Sequence, residues 1–186
     1  MNTTTTTHPP VMAGEAGPAG IDAPESPGPH TEAELAALIA LLLSDPDARA
    51  GAVAVGSSRD AASRAAADAF TDAWQARGGT VLAVVDWPEA AASWLRPATR
   101  LAAGPPDAWV VAAALPGFAR LARRLRDSTA WDPSRTYAFA SLQDSRLPAL
   151  AGPDTVHGLR GATAAGGTWD VRHRWVTSYQ ASASVS

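Results

Sequence analysis

Short apolar segments recur along this chain and alternate with longer segments in which polar and apolar positions are mixed. The five apolar segments are GAVAVG (51–56), TVLAVVDW (80–87), DAWVVAAAL (107–115), RTYAFASL (135–142) and VHGLRGAT (156–163). Short, mostly apolar runs without strict alternation are typical of strands that are buried on both faces of a parallel sheet. The pattern therefore predicts five buried strands.

The segments between these runs have the periodicity of helices. In residues 57–79, Ala66, Phe70 and Trp74 recur at helical spacing between a Ser/Asp start and a Gly-Gly stop. Further helices are predicted at 88–104, with a kink or break at Pro97, and at 116–129, 143–152 and 170–183. Strands that alternate with helices form right-handed βαβ units on a sheet covered on both faces. We therefore expect an α/β fold with a doubly wound, parallel five-stranded sheet of the flavodoxin or Rossmann kind.

The N-terminal region differs in composition from the rest of the chain. Residues 1–30 combine a Thr run with Pro, Gly, Ala and a few acids, and such a segment buries too little apolar surface to offset its ordering entropy. Thr31 and Glu34 then have the spacing of a capping box, with Leu38 and Leu42 at helical spacing behind them. The predicted organisation is a disordered leader (1–30), a helix with a linker (31–49) and one α/β domain (50–183).

Composition narrows the classes of function. The 186 residues suit one domain, and the absence of cysteine excludes disulfides, thiolate metal sites and thiol catalysis. A net charge of −3 argues against nucleic acid as a partner. No apolar run is long enough to span a bilayer, and the first residues lack the basic and apolar regions of a signal peptide. The chain as written is therefore expected in the cytoplasm.

In a doubly wound sheet, ligands bind beyond the carboxyl ends of the strands. The loops at those ends are predicted at 56–60, 86–89, 115–118, 141–144 and after Thr163. The first loop, GSSRD, places Ser57 and Ser58 at a helix start, where amides favour an anion and where Ser and Asp also serve simply as caps. Asp86 is interpreted as a residue of a strand-end turn. No glycine-rich dinucleotide or phosphate loop is present, so no nucleotide cofactor is predicted.

The sequence shows no arrangement for catalysis or metal binding. His8, His30, His157 and His173 lack the spacing of a metal site, and no G-x-S-x-G elbow follows a strand. We therefore predict no catalytic residue, no metal and no cofactor. Trp131 and Trp169 fall in predicted loops and are candidates for lining a ligand or partner surface.

Four segments, read in order, carry a resemblance to a known family. The first segment, 51–87, has an Arg-Gly-Gly turn at the end of its helix, and the second, 95–127, contains GPPDAWVV. The third, 135–163, includes a late Leu-Arg-Gly strand, and the fourth is WDVRHRWVTSY (169–179). Their order resembles one lobe, the second, of the type I periplasmic binding proteins, the leucine/isoleucine/valine-binding family of ABC-transporter substrate-binding proteins. The resemblance covers about two thirds of the chain, and it implies a Rossmann-like lobe that binds a ligand without transforming it.

The resemblance also implies which residues face the ligand. These are Ser57, Ser58, Arg59 and Asp60 in the first loop, Pro116 and Gly117 in the third, and Ser141, Gln143 and Asp144 in the fourth. The sequence departs from the family in two respects. Ala61 and Ala62 stand where an aromatic residue commonly packs over the ligand, and the chain supplies one lobe where the family binds between two.

We therefore expect a substrate-binding-protein-like domain that recognises a small polar ligand of the amino-acid class for ABC-type transport or sensing. Its partners would be that ligand and an ABC permease, a second lobe or another copy of the chain. The family would place it outside the cytoplasm if its start lies elsewhere. The alternatives are a degenerate single lobe that binds a protein or pairs with itself, and an enzyme on the same scaffold, which ranks last because no reactive group pair is visible.

Overall fold

The computed structural model describes residues 26–45 and 51–181. Most of the predicted leader and of the predicted linker therefore lies outside the described residues. Within them, the helices are α1 (Glu32–Ser44), α2 (Ala61–Gln75), α3 (Leu95–Leu101), α4 (Leu115–Ser128) and α5 (Leu147–Ala151), with single 3-10 turns at Pro133–Arg135 and Ala140–Leu142. The strands are β1 (Ala52–Ser58), β2 (Thr80–Trp87), β3 (Ala108–Ala112), β4 (Thr136–Ala138), β5 (Arg160–Ala162), β6 (Thr168–Arg172) and β7 (Trp175–Tyr179).

All seven of these strands form one sheet in the order β2-β1-β3-β4-β5-β6-β7. Strands β1 to β5 pair in parallel, and β6 and β7 add an antiparallel hairpin at one edge. The order 2-1-3-4-5 of the parallel strands is the flavodoxin-like arrangement. The predicted doubly wound α/β fold is confirmed, although β4 and β5 are shorter than their apolar segments. The prediction that 80–87 is a buried strand is wrong, because β2 lies at the edge of the sheet and is exposed at alternate positions.

The sheet separates two layers of apolar side chains. Under α1 and α2 lie residues such as Leu38, Val55 and Phe70, all buried. Under α3, α4 and α5 lies a second layer that includes Trp87 and Leu125. Helix α1, which begins with the predicted Thr31–Glu34 capping box, thus packs onto the sheet as part of the core.

The predicted helix at 88–104 is wrong in its first half. Residues 88–94 are not helical, and α3 begins only at Leu95. Pro97 falls in the first turn of this short helix. A first-turn proline is tolerated because the amide it lacks has no intrahelical acceptor there. The proline therefore stands near a helix start, and it causes no kink.

The predicted helix at 170–183 is also wrong, because the chain forms strands β6 and β7 there. In β6, Trp169 and Val171 are buried while Thr168, Asp170 and Arg172 are more exposed, which is the two-residue period of a strand. The turn between the strands is short, and His173 adopts φ 53° to close it. This hairpin raises the sheet from the five predicted strands to seven.

Both tryptophans that were predicted to lie in loops are core residues. Trp131 and Trp169 are 3% and 1% exposed, and Trp169 Nε1 donates to Ala162 O at 3.0 Å. Neither ring is available to line a ligand or partner surface. In the described part of the chain, no helix combines the length and the apolar character needed to cross a membrane.

Candidate functional site

The strand order fixes where a site can form. Strands β1 and β3 are neighbours, yet the helices that follow them pack on opposite faces, α2 on one and α4 on the other. The chain diverges beyond the carboxyl ends of these two strands and leaves a crevice there. Residues that follow β1, β2, β3 and β4 all meet at this edge of the sheet, which we call the carboxyl edge.

Ser58 is the buried centre of the carboxyl edge. Strand β1 runs through Ser57 and Ser58, so both serines lie in the strand, and their predicted place in a loop is wrong. They are 3% and 0% exposed. Ser58 Oγ donates to Glu89 Oε1 at 2.7 Å and accepts from Ala114 N at 2.9 Å. The hydroxyl thus joins the ends of β1, β2 and β3.

Glu89 follows β2 and completes this arrangement. Its other carboxylate oxygen, Oε2, accepts from Gly117 N at 2.7 Å, and its backbone carbonyl accepts from Arg120 Nη1 at 3.1 Å. A Cβ on Gly117 would stand 2.5 Å from both carboxylate oxygens. The first turn of α4 is therefore a cradle for this carboxylate, which carries the negative charge that a helix start favours. We call Ser58, Glu89 and Gly117 the Glu89 cradle.

Glu89 was not predicted as a site residue. A strand-end loop was predicted at 86–89, with Asp86 as the only residue considered in it. The available signal was the position of Glu89, an acid just after Pro88 at the end of a buried strand. Of the residues predicted in the third loop, Gly117 contributes its amide to the cradle, and Pro116 occupies the first turn of α4 beside it.

The other two residues of the first loop have contacts within the chain. The Arg59 guanidinium pairs with Asp86 at 3.1 Å, and the two side chains are 55% and 43% exposed. Asp60 is the N-cap of α2, where its Oδ1 accepts from Ser63 N at 2.8 Å. The Arg59 guanidinium is therefore exposed to solvent, while the Asp60 carboxylate caps the N-terminus of α2.

The residues of the fourth loop divide between two surroundings. Gln143 Nε2 donates to Ser178 Oγ on β7 at 2.7 Å. Asp144 accepts from the Arg146 guanidinium, which holds the pKa of this carboxyl below its usual value. Ser141 lines a cavity on the other side of the sheet. The loop therefore lies at the carboxyl edge, but Gln143 and Asp144 are engaged away from the Glu89 cradle.

Two concave surfaces adjoin this edge. A groove of about 410 Å³ is lined by Pro88 and Ala90, the sequence neighbours of Glu89, and by Arg59, Arg96 and Arg100, but not by the cradle residues themselves. A cavity of about 240 Å³, which we call the edge cavity, lies under α1 and α2. It is lined by residues 27–30, Glu34, Ala62, Ser63, Ala66, Ala112, Phe139, Ala140, Ser141 and Ala164.

In residues 26–45 and 51–181, no three side chains of His, Asp or Glu lie close enough together to form a possible metal site. His157 and His173 stack on each other with ring centroids 4.3 Å apart. Nδ1 of His157 accepts from the backbone amide of His173 at 3.1 Å, so this nitrogen holds the hairpin turn.

No known protein family profile matches the sequence, and no curated protein matches it. Several solved structures are similar to the chain. A protein of Rhodospirillum rubrum assigned as a branched-chain amino acid ABC transporter aligns with 59% of this chain at 26% identity and a TM-score of 0.53. A substrate-binding periplasmic protein of Ralstonia solanacearum aligns with 73% at 19% identity and a TM-score of 0.60. This chain has the fold of one lobe of a type I periplasmic binding protein.

A third structure agrees with these two. A Silicibacter pomeroyi protein, also assigned as a branched-chain amino acid ABC transporter, aligns with 71% of the chain at 19% identity and a TM-score of 0.57. The alignments cover 31%, 37% and 34% of the three structures, so the chain spans about a third of their length. The resemblance inferred from the sequence to a single lobe of this family is confirmed.

Proposed function

We propose that the chain is a substrate-binding-protein-like domain that recognises a small polar ligand of the amino-acid class at its carboxyl edge, without catalysis, for ABC-type transport or sensing. The observation that carries the proposal is the Glu89 cradle. Ser58 and Gly117 hold one half-buried carboxylate in the crevice between β1 and β3. An acid fixed in this way is preorganised to accept the ammonium group of a ligand.

A zwitterionic ligand also needs a partner for its carboxylate. Arg59 is exposed directly after β1, and it lines the groove of about 410 Å³ together with Arg96 and Arg100. Guanidinium groups bind carboxylates through paired hydrogen bonds. Asp86 forms an ion pair with Arg59, so a ligand carboxylate would have to displace Asp86. The pair is exposed to solvent and contributes little to stability, so displacing it costs little.

The test is the binding of single amino acids, measured by calorimetry and by thermal unfolding. A ligand that binds only the folded chain raises Tm by mass action. We expect Glu89→Gln and Arg59→Gln each to weaken binding by about tenfold, the effect of one charge-assisted hydrogen bond. Arg64→Gln, which changes an exposed arginine elsewhere on α2, is the matched control and should bind normally. Absence of binding by any amino acid would refute the proposal.

A second candidate function, pairing with another copy, is favoured by the exposed edge of the sheet. Leu82 and Val84 on edge strand β2 are 44% and 49% exposed. Unpaired edge strands with apolar side chains invite pairing with another chain. Sedimentation across a range of concentrations should then show a dimer that Val84→Lys abolishes, with Arg64→Lys as the control. A monomer at every concentration would exclude it.

The similar structures also support a proposal for the partner and the location of the protein. One is a periplasmic binding protein and two are assigned to ABC transport, which supports an extracytoplasmic location and an ABC permease as a partner. Fractionation of the source cells distinguishes this location from the cytoplasmic one expected from the first residues of the sequence.

A further inference from the structure

The helices on the two faces of the sheet carry opposite charge. Those on one face, α1 and α2, contain four acids and one arginine: Glu32, Glu34, Asp68, Asp72 and Arg64. Those on the other face, α3 and α4, contain one acid, Asp127, and six arginines: Arg96, Arg100, Arg120, Arg123, Arg124 and Arg126. We call these six arginines the arginine face. It is a positive surface on a chain whose net charge is −3.

The charges of the arginine face are not neutralised within the described part of the chain. All six side chains belong to exposed residues, and none of them forms an ion pair with a carboxylate of residues 26–45 or 51–181. Arg120 Nη1 donates to Glu89 O at 3.1 Å and Arg124 Nη1 donates to Ser128 Oγ at 3.4 Å, and both acceptors are neutral. The guanidinium groups therefore keep their charge and most of their donors for an external anion.

Helix α4 lies at the centre of this layer, because it packs against α3 on one side and α5 on the other. At 3.6 residues per turn, Arg120, Arg123 and Arg124 project within about 100° of one another around the helix axis. Residues such as Phe118 and Leu125 on the opposite side of α4 are buried against the sheet. The arginines of α4 therefore point away from the sheet in similar directions.

The exposed apolar residues of this layer lie at its flanks. Leu95 begins α3 and Leu150 belongs to α5, and they are 48% and 44% exposed. Interfaces between proteins usually have an apolar centre and a polar rim. Here the centre is charged and the leucines are outside it. A bilayer with anionic lipids fits this arrangement, because its phosphates attract basic residues and its headgroup region accepts apolar side chains.

We propose that the arginine face binds the surface of an anionic lipid bilayer, with the arginines of α4 on lipid phosphates and with Leu95 and Leu150 between the headgroups. The acidic helices α1 and α2 then lie on the side away from the membrane, so the charge distribution also sets the orientation. The proposal does not depend on amino-acid binding, because Arg123, Arg124 and Arg126 lie outside the Glu89 cradle and outside the groove beside Pro88.

The experiment is cosedimentation of the full chain with sucrose-loaded vesicles. The probe vesicles contain phosphatidylcholine and phosphatidylglycerol in equal amounts, and the reference vesicles contain phosphatidylcholine alone. We expect binding to the mixed vesicles that weakens as salt is added, because salt screens exposed charges. Equal binding to the reference vesicles, or no binding to either, would overturn the proposal. Tighter binding of soluble poly-glutamate at equal negative charge would indicate an acidic protein partner and would also overturn it.

A pair of triple variants locates the surface. Combining Arg123→Gln, Arg124→Gln and Arg126→Gln should weaken vesicle binding about 100-fold, or about fivefold for each arginine near the lipid surface. The matched control combines Arg64→Gln, Arg77→Gln and Arg174→Gln, which removes the same charge from exposed positions elsewhere. It should bind nearly as the parent chain does. An equal loss in the two variants would show that only net charge matters, and the proposal would fail.

A second pair of variants tests the orientation. Leu150→Ala should weaken binding severalfold, because it removes apolar surface from the headgroup region. Leu43→Ala on α1, where the parent residue is 46% exposed, is the matched control and should leave binding unchanged. An equal effect of the two substitutions would refute the proposed orientation. Amino-acid binding measured on the Arg123, Arg124 and Arg126 variant should stay normal, so the two proposals can fail separately.

Discussion

Replacing Ser58 with alanine tests whether its hydroxyl holds the carboxyl edge together. Ser58 is fully buried, and its single oxygen both donates to Glu89 and accepts from Ala114 N. The substitution removes only that oxygen. It leaves a buried amide without an acceptor and a half-buried carboxylate without one of its two donors.

The size of the effect follows from these two losses. An unsatisfied buried donor costs about 1–3 kcal/mol, and a hydrogen bond to a charged group contributes about 1.5–3 kcal/mol. The second value is reduced here because Glu89 is partly exposed to solvent. We therefore expect Ser58→Ala to lower the free energy of unfolding by about 2–4 kcal/mol, a large fraction of the roughly 5–15 kcal/mol of a typical domain.

The neighbouring serine is a matched control. Ser57 is 3% exposed in the same strand, and its hydroxyl takes no part in the bonds that Ser58 makes with Glu89 and Ala114 N. Ser57→Ala leaves both of those bonds intact, so it should change the free energy of unfolding by no more than about 1 kcal/mol, the net contribution of an ordinary hydrogen bond. Urea unfolding followed by tryptophan fluorescence measures both variants, with an unchanged m-value as the check on two-state behaviour.

The outcome separates two descriptions of the carboxyl edge. If Ser58→Ala costs no more than Ser57→Ala, the hydroxyl does not support Ala114 and Glu89, and the reasoning is refuted. A double-mutant cycle with Glu89→Ala isolates the contact between Ser58 and Glu89, and contacting groups of this kind couple by about 0.5–3 kcal/mol. A coupling of zero would remove Glu89 from the cradle even if Ser58→Ala were destabilising.

Two further substitutions test local contacts. The Arg146 guanidinium lowers the pKa of Asp144 below its usual value of 3.8. The contribution of Asp144 to the free energy of unfolding is therefore fully present above pH 3.8 and is lost as the pH falls through the lowered pKa. Asp144→Asn should therefore cost about 0.5 kcal/mol at pH 7 and nothing in strong acid, and urea titrations with an equal cost at both pH values would contradict this. Gly161→Ala would place a Cβ against Ala138 O of the neighbouring strand, so we expect the free energy of unfolding to fall by about 3 kcal/mol. An unchanged thermal unfolding curve would show that the two strands are further apart.

The fold was largely predictable because its signals are local. Parallel strands often appear as short apolar runs, and β2 has the bounds of its run, Thr80–Trp87, even though it lies at the exposed edge of the sheet. The hairpin was missed because WDVRHRWVTSY is rich in polar residues on an exposed edge strand, so only Trp169 and Val171 report the two-residue period. A pattern with so few buried positions cannot distinguish a strand from a helix.

The candidate site was less predictable because its contacts join distant parts of the chain. Ser58 was predicted in the loop directly after β1 and is in fact the last residue of that strand, but its partners Glu89 and Ala114 lie 31 and 56 residues away. Glu34 reads from sequence as a capping residue, which it is, and its bond to Ala140 spans 106 residues. Local spacing identifies the first role of each residue, while the second depends on how the sheet brings the strand ends together.

The proposed ligand binding and the proposed pairing of two copies are coupled if both involve the carboxyl edge. One carboxyl edge by itself covers a ligand from one side, whereas small-molecule sites usually bury about 70–90% of a ligand's surface. If a second copy supplies the other wall, the dimer binds the ligand more tightly than the monomer does, and reciprocity requires the ligand to promote dimer formation by the same factor. Sedimentation with and without a bound amino acid measures this factor directly. Ligand-independent pairing would show that the partner copy lies on edge strand β2 without reaching the Glu89 cradle, and would separate the two proposed functions.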